Sequence, residues 1–240
     1  MGAGCRSPAA VANYRNTFKP AAVDFGIGGE GEGPLKPETS QSYEAGVKVR
    51  MAQGRVGLEA TTFLMEFSNL VIARTINALP ALTNAGTERF KGFELGTTWH
   101  LPHDVTGRAS YSLHDANFHD YVAEFDGVPT QLGGKRLEMS ARHLMSAGLI
   151  YAPSPGIVTL GEINFVGSRF LNKRNTAPVD GYMTITAGVG YRTPTWELRV
   201  DGRNLTDRRP PVAESELGDA QYYRLPARRI DVTFSVRLGG

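Results

Sequence analysis

The sequence predicts an all-β protein, an antiparallel transmembrane β-barrel segment of about ten strands. Three observations carry this prediction. Apolar residues recur at every second position in many segments, several of these segments last roughly 10 to 13 residues, and the connections between them alternate between short and long. Strands of soluble sheets average about 5 to 6 residues, whereas tilted membrane-spanning strands take about 9 to 11.

The alternation is clearest towards the end of the chain. Trp196, Leu198 and Val200 fall on one face of a predicted strand, and Glu197 and Arg199 fall on the other. Side chains alternate across a strand, so a strand between an apolar and an aqueous environment shows this pattern. In chain order, the predicted strands lie near residues 11–19, 40–51, 56–74, 88–101, 105–118, 143–152, 157–168, 181–192, 196–205 and 227–238.

The connections give a second signal, because outer-membrane barrels have tight turns on one rim and long loops on the other. Short connections are predicted at 52–55, 102–104, 153–156 and 193–195, and long ones near 20–39, 75–87, 119–142, 169–180 and 206–226. Large side chains lie within a few residues of the short turns, where an interfacial girdle is expected: Met51, Trp99, Tyr151, Tyr191 and Trp196.

Composition excludes several classes. The 26 Lys and Arg against 24 Asp and Glu leave a formal charge of +2, so no nucleic-acid partner is expected. The single cysteine, Cys5, excludes disulfide scaffolds and CxxC zinc sites. No run of about 18 apolar residues predicts a helical span, and no signal peptide is recognisable at the start of the chain. A soluble β-sandwich, which also alternates, stays open as an alternative.

Enzymatic chemistry is not expected. Gly26 to Gly31 satisfies GxGxxG, but the Glu, Gly and Pro residues that follow disfavour the helix that a dinucleotide site requires. His100, His103, His114 and His119 have no spacing that specifies a metal site. No Ser/His/Asp or Cys/His arrangement stands out, so no catalytic residue, metal or cofactor is predicted.

Three motifs carry a resemblance to a known family. The first is the segment from Leu35 through Pro37 and Glu38, followed by Tyr43-Glu44-Ala45-Gly46. The second is Asn84-Ala85-Gly86 with Lys91-Gly92-Phe93-Glu94. The third is Asn204-Leu205-Thr206-Asp207 with Pro226 and Arg228 before the last strand. Together they resemble the C-terminal part of the barrel of TonB-dependent outer-membrane receptors, which import ferric siderophores, haem, cobalamin and some sugars. The resemblance spans roughly residues 11 to 238.

The resemblance implies a single partial barrel domain over residues 1–240, with residues 1–10 as an unstructured start and the plug domain absent. About ten strands are fewer than half of the 22 in a plugged transporter. The implied location is the outer membrane of a Gram-negative bacterium, with the long loops extracellular. The implied partners are outer-membrane lipid, a chelated metal such as a ferric siderophore, and the TonB complex through the missing plug. The alternative is a small self-contained porin-like or ligand-binding barrel without TonB coupling.

Ligand contacts are expected in the long loops. Cations there suit an anionic siderophore or citrate complex, and the alternative is that they are solvated charges that face lipopolysaccharide or the lumen. The candidates are His119, Tyr121, Arg169, Lys173, Arg174, Tyr222 and Tyr223.

Overall fold

The computed structural model of the protein describes residues 6–20, 35–76, 79–125, 127–214 and 221–237. The sixteen strands in these ranges are numbered in chain order. Ten of them form one antiparallel sheet: β1 (Arg6–Lys19), β2 (Glu38–Met51), β3 (Val56–Ile76), β4 (Leu79–Leu101), β5 (Val105–Asp120), β8 (His143–Tyr151), β9 (Gly156–Val166), β12 (Tyr182–Arg192), β13 (Trp196–Arg203) and β16 (Arg229–Val236).

The other six strands form short antiparallel pairs within the long connections. These pairs are β6 (Val122–Phe125) with β7 (Val128–Gln131), β10 (Arg169–Phe170) with β11 (Pro178–Val179), and β14 (Pro211–Glu214) with β15 (Tyr222–Arg224). The sequence analysis did not predict them.

Each strand of the large sheet pairs with its neighbours along the chain, so the chain runs up and down without a crossover, and β1 and β16 form the two edges. All ten predicted strands are confirmed. β1 begins at Arg6, earlier than predicted, because Ala9 and Ala10 already pair with Lys48 and Val47 of β2. The expectation of an unstructured start therefore does not hold for residues 6–10.

The predicted long loop at 75–87 is wrong. β3 and β4 continue as a paired ladder from Leu70 opposite Ala85 to Ile76 opposite Leu79. A hairpin that extends into water has no apolar environment on one side, so it carries no alternating pattern to reveal it. Two other features of the sequence, Cys5 and the GxGxxG segment, lie outside the described residues.

In the large sheet, apolar side chains are exposed on one face and polar side chains are shielded on the other, which is the reverse of the arrangement in a soluble protein. Ile230, Val232 and Phe234 of β16 are 67%, 69% and 64% exposed, whereas Asp201 of the neighbouring strand is 9% exposed. On the polar face, Arg199 Nη2 bonds Asp201 Oδ1 at 2.8 Å. A sandwich would bury the apolar face against a second sheet. The described strands form no second sheet of that size, so the sandwich alternative is wrong.

The apolar face is a band with aromatic rows at both ends. Near the short turns, the Trp196 ring lies 5.9 Å from Tyr191 and 6.2 Å from Phe234, measured between ring centroids. Towards the long connections, Phe93 and Tyr111 lie 5.7 Å apart. The nine residues from Phe93 to Leu101, at the end of β4, span about 26 Å along the strand, or roughly 20 Å when tilted, close to the apolar band of membrane barrels.

Across the described ranges, the structure contains no helix with the length and apolarity needed to cross a membrane.

Candidate functional site

The first two sequence motifs are bonded to each other at the long-loop end of the sheet. The Asn84 side chain accepts the Lys36 N–H at 2.7 Å and donates to the carbonyls of Lys36 at 3.0 Å and Asn69 at 2.8 Å. Glu38 Oε1 accepts the Val71 N–H at 2.8 Å. These bonds hold the start of β2 against the extended hairpin of β3 and β4, so Glu38 and Asn84 have structural roles.

Two glycines of the second motif allow β5 to approach closely. A Cβ atom at Gly86 would lie 1.2 Å from the Asp120 carbonyl oxygen, and one at Gly92 would lie 1.9 Å from the Leu113 carbonyl oxygen. No side chain can be accommodated at such distances, so glycine is required at both positions.

Glu44 and Glu94, which belong to different motifs, line one hollow on the polar face of the sheet. The hollow has a volume of about 390 Å³ and is also lined by His114 and Phe63. His114 Nε2 lies 3.2 Å from Glu94 Oε1, and its ring packs edge-on against Phe63 with centroids 5.3 Å apart. The hollow therefore combines carboxylate, imidazole and aromatic surfaces.

The third motif closes the connection between β13 and β16. Asn204 has a φ of 46°. Its Nδ2 donates to the carbonyls of Arg208 and Pro226, both at 2.8 Å. The Leu205 N–H donates to the carbonyl of Ile185 at 2.8 Å. Asn204 thus joins the beginning and the end of a connection of more than 20 residues, which explains its place in the motif.

Asp207 adds a second link across the same connection. Its Oδ1 accepts the Arg228 N–H at 2.9 Å, and the Arg209 guanidinium forms an ion pair with Oδ2 at 3.0 Å. The Arg228 N–H, together with Arg209, holds the pKa of the exposed Asp207 carboxyl below its ordinary value. The link is therefore formed by the ionised carboxylate.

A small hydrophobic cluster lies where the end of β5 meets the long connection that follows it. It consists of Phe118, Tyr121 and Leu132, each 1% or 2% exposed. The Leu132 N–H donates to the Tyr121 carbonyl at 2.8 Å. The cluster gives the 121–142 connection a core of its own, so this connection is a packed unit.

Lys173 joins the next connection to this cluster. Its Nζ donates to the Tyr121 hydroxyl at 3.2 Å and lies 3.8 Å from Glu138 Oε1. Burial lowers the pKa of Lys173, but Tyr121 and Glu138 more than offset this effect, so the pKa lies above its ordinary value. Glu138 Oε2 is buried and has no hydrogen-bond partner within the part of the chain that the structure describes.

Two further contacts tie the three long connections together. Asn175 Oδ1 accepts the Arg136 N–H and its Nδ2 donates to the Arg136 carbonyl, both at 2.8 Å. Arg169 is 4% exposed, lies over the Tyr182 ring at 5.3 Å and donates to the Pro211 carbonyl. The Arg169 Nη1 atom has no hydrogen-bond partner among the described residues. The described parts of the connections over 121–142, 167–181 and 204–228 form one loop assembly.

The structure separates the seven ligand candidates into two groups. Tyr121 and Arg169 are buried inside the loop assembly, where they pack against other loop residues. His119, Arg174 and Tyr223 are exposed on its surface.

The remaining two candidates, Lys173 and Tyr222, are partly buried, and the Tyr222 hydroxyl donates to the Leu171 carbonyl at 3.4 Å. Arg174 lies 4.7 Å from the centre of the Phe125 ring. Ligand contact at any of the seven residues stays a prediction.

Arg136, Glu138 and Asn175 hold the loop assembly together and were not predicted from the sequence. No periodic or motif signal marks them, because each acts through a partner that is distant in the sequence. Within the described ranges, no group of three or more His, Cys, Asp or Glu residues could hold a metal ion. The exposed surface of the loop assembly offers cations and aromatic rings, which suit an anionic ligand with apolar parts.

Comparison with known proteins gives a match to one family. The family model described as TonB dependent receptor-like, beta-barrel, matches residues 7–205.

Two curated proteins resemble the chain over most of its length. The metal-pseudopaline receptor CntO of Pseudomonas aeruginosa is 27% identical over 204 residues, which cover 82% of this chain and 27% of the receptor. The ferric-pyoverdine M114 receptor PbuA of Pseudomonas sp. strain M114 is 28% identical over 212 residues, which cover 83% of this chain and 24% of the receptor. The chain thus spans about a quarter of the length of these relatives.

Solved structures resemble the fold closely. The ferric yersiniabactin uptake receptor FyuA from Yersinia pestis aligns with a TM-score of 0.77 and 19% identity, over 95% of this chain and 35% of that receptor. The siderophore receptor PiuA from Acinetobacter baumannii aligns with a TM-score of 0.76 and 18% identity, over 95% of this chain and 33% of that receptor.

Proposed function

This chain belongs to the TonB-dependent receptor family by its β-barrel domain, and we propose that it forms the C-terminal part of a receptor barrel that takes up a ferric siderophore. The family resides in the outer membrane of Gram-negative bacteria and serves the uptake of metals or siderophores. In the proposed placement, the apolar band faces lipid, the polar face lines the barrel interior, and the long-loop end lies outside the cell. Coupling to TonB, through a plug that these strands would surround, is part of the proposal.

The observation that carries the proposal is the inverted distribution of side chains. The side chains of the apolar face are exposed, whereas the polar face carries ion pairs such as that between Arg192 and Glu197 at 2.7 Å. Lipid stabilises such an apolar face, and water or a plug domain solvates the polar one. A receptor barrel supplies both environments.

The loop assembly supports an anionic chelate as the ligand. Arg174 and Lys173 lie next to each other in one connection, and Arg174 stands over the Phe125 ring. Guanidinium and ammonium groups attract carboxylate or catecholate oxygens, and nearby rings pack against the apolar parts of a chelator. We place the ligand against the exposed residues Arg174 and Tyr223, with Tyr121 and Arg169 supporting the assembly from inside.

The relatives named above are transport receptors, so we propose no enzymatic activity. A small self-contained barrel is not favoured, because β1 and β16 end the described sheet without pairing with each other. The fold aligns, with TM-scores of 0.77 and 0.76, with about a third of two receptors that are roughly three times longer than this chain.

Uptake of radioactive iron tests the proposal. The full-length protein that carries this chain is expressed in a Gram-negative host that lacks its own siderophore receptors, and cells are offered ⁵⁵Fe as citrate, catecholate and hydroxamate complexes. We expect uptake of at least one complex, and we expect it to disappear in a host without TonB. Absence of uptake of all three, with the receptor folded in the outer membrane, would contradict the siderophore proposal.

A matched pair of variants tests the loop site. Arg174→Gln removes an exposed cation of the loop assembly, and Arg55→Gln removes an exposed cation at the short-turn end. Loss of one charge-assisted contact should weaken binding of the transported complex roughly tenfold or more in Arg174→Gln. Arg55→Gln should bind like the unaltered protein, and equal binding by both variants would count against the loop site.

A further inference from the structure

We propose that Arg89, Lys91 and Arg142 form a binding site for the phosphate groups of a membrane lipid, on the outward face of the sheet directly above the apolar band. These three residues are called the outer cationic patch below. The inference rests on the membrane placement proposed above, but it concerns the lipid-facing surface and does not depend on which nutrient is transported.

The strand register puts the patch on the apolar face rather than the polar one. Lys91 lies two residues before Phe93 on β4, so both side chains are on the same face. Phe93 stacks with Tyr111 in the aromatic row that ends the apolar band. Two residues along a strand are about 7 Å, so the Lys91 Cα lies about 7 Å beyond that row. Aromatic rows of membrane barrels mark the level of the lipid headgroups.

The patch surrounds a hollow of about 360 Å³. Its lining includes all three cations together with Asp115, Asn117 and His119. The side chains of Lys91, Arg142 and Arg89 are 59%, 50% and 39% exposed. The hollow is therefore open to the membrane surface and has room for a phosphate group.

The cations outnumber the carboxylates that pair with them. Lys91 and Arg142 share one carboxylate, that of Asp115, and Arg89 pairs with Glu66 at 2.5 Å. Three permanent positive charges thus face two negative ones. Since an exposed pair contributes little on its own, the remaining charge favours an added anion.

The donors of the patch are also incompletely used. Lys91 Nζ lies 3.6 Å from Asp115 Oδ2, which is beyond hydrogen-bond distance, so its three donors are available. Arg142 donates to Asp115 through Nη2 at 3.0 Å, and its other N–H groups have no recorded partner among the described residues. A phosphate group offers several acceptor oxygens to such donors.

The surroundings favour a lipid over a soluble phosphate. An acyl chain below a headgroup bound at the patch would run along the apolar side chains of the band, among them Leu95 and Met145, which are 46% and 51% exposed. A soluble anion gains only the electrostatic contact, whereas a phosphorylated lipid gains this contact and apolar contacts together. The chemistry points to a lipid with phosphate monoesters near the level of the aromatic row.

Native mass spectrometry of the full-length protein in detergent, with EDTA present, tests the inference. The probes are bisphosphorylated lipid A, the same lipid without phosphates, and inorganic phosphate as a competitor. The unaltered protein should bind the bisphosphorylated lipid well above the phosphate-free one. Lys91→Gln with Arg142→Gln should weaken that binding on the order of tenfold or more.

The control is Lys48→Gln with Arg50→Gln, which also removes one lysine and one arginine charge, but from the polar face of β2. It should bind lipid like the unaltered protein. All variants are checked for folding by their heat-dependent mobility in gels, so a misfolded variant is recognised. Equal binding by both double variants, equal binding of the phosphate-free lipid, or full displacement by millimolar inorganic phosphate would each overturn the inference. These outcomes leave uptake of the ferric chelate unaffected.

Discussion

Replacement of Asn204 by alanine should detach the connection between β13 and β16. The side chain donates to the carbonyls of Arg208 and Pro226 at 2.8 Å, and its Oδ1 accepts from the Arg208 N–H at 3.2 Å. Alanine makes none of these bonds. It also tolerates the left-handed backbone at this position, with φ at 46°, less well than asparagine.

The expected loss follows from these contacts. The two short hydrogen bonds contribute about 1 kcal/mol each, and the left-handed backbone costs alanine about 1 kcal/mol. A local loss of roughly 3 kcal/mol corresponds to about a hundredfold rise in the opening equilibrium of the connection.

Hydrogen exchange measured by mass spectrometry on the full-length protein in detergent reads this equilibrium. Residues 221–228 should lose protection in Asn204→Ala, while peptides from β8 and β9 stay unchanged. Asn204→Gly should lose less protection than Asn204→Ala, because glycine also lacks the side-chain hydrogen bonds but readily adopts the left-handed backbone conformation. Asn16→Ala on β1, where the side chain is exposed, is the matched control. If Asn204→Ala and Asn16→Ala have the same effect on residues 221–228, the reasoning is refuted.

Three further predictions follow from the same geometry. Gly92→Ala places a Cβ 1.9 Å from the Leu113 carbonyl oxygen, so the heat-modifiable folded fraction should fall sharply, whereas Gly57→Ala has open space and should fold normally. Lys173→Met removes the donor to Tyr121 and should lower the stability of the loop assembly by roughly 1 kcal/mol in chemical unfolding, with Lys173→Arg retaining more of it. Because the pKa of Asp207 is lowered, its contribution is present above the ordinary carboxyl pKa near 4 and is lost as pH falls through the lowered value. Exchange of the Arg228 amide, corrected for intrinsic rate, should rise over that acidic range and should not do so in Asp207→Asn.

The strands of the sheet could be predicted because lipid and water impose different demands on the two faces. In β12, Met183, Ala187 and Val189 alternate with Thr184 and Gly188, and this pattern survives in the sequence because it reflects two solvents. The hairpin of β3 and β4 beyond the membrane has no lipid on either side. The sequence predicted a loop over 75–87 because no alternating pattern marks the paired residues there.

For the loop assembly, the sequence predicted the types of residue present but not the contacts between them. The sequence marked Tyr121 and Arg169 as polar or aromatic loop residues, a description that fits ligand contacts and buried supports equally. What decides between these roles is the set of neighbours, such as Lys173 beside Tyr121 and Tyr182 beside Arg169. These contacts join residues about 50 and 13 positions apart, and no local pattern reports them.

Asn84 and Asn204 show the opposite case, since a motif located them before any physical role was apparent. Each turns out to bond the backbone of a segment distant in the sequence. In the outer cationic patch, only Lys91 belongs to a motif, and neither Arg89 nor Arg142 does. The patch follows from the register of β4 and β5, which puts Lys91 opposite Asp115 and Arg89 opposite Asn117.

The most direct test of the central claim is a spin-label scan along β12 in lipid bilayers. Cys5 is first replaced by serine, and single cysteines are then placed at positions 183 to 187, 189 and 191 in the full-length protein. Gly188 and Gly190 stay unchanged, because a Cβ there would lie 2.1 Å from Asp201 Oδ1 and 2.6 Å from the Leu198 carbonyl oxygen. Labels on the apolar face, at 183, 185, 187, 189 and 191, should be accessible to oxygen dissolved in lipid, and labels at 184 and 186 to a water-soluble nickel reagent. This two-residue alternation is the result expected for a receptor barrel wall. Reversed accessibility, or protection of the apolar positions from both reagents, would contradict the account.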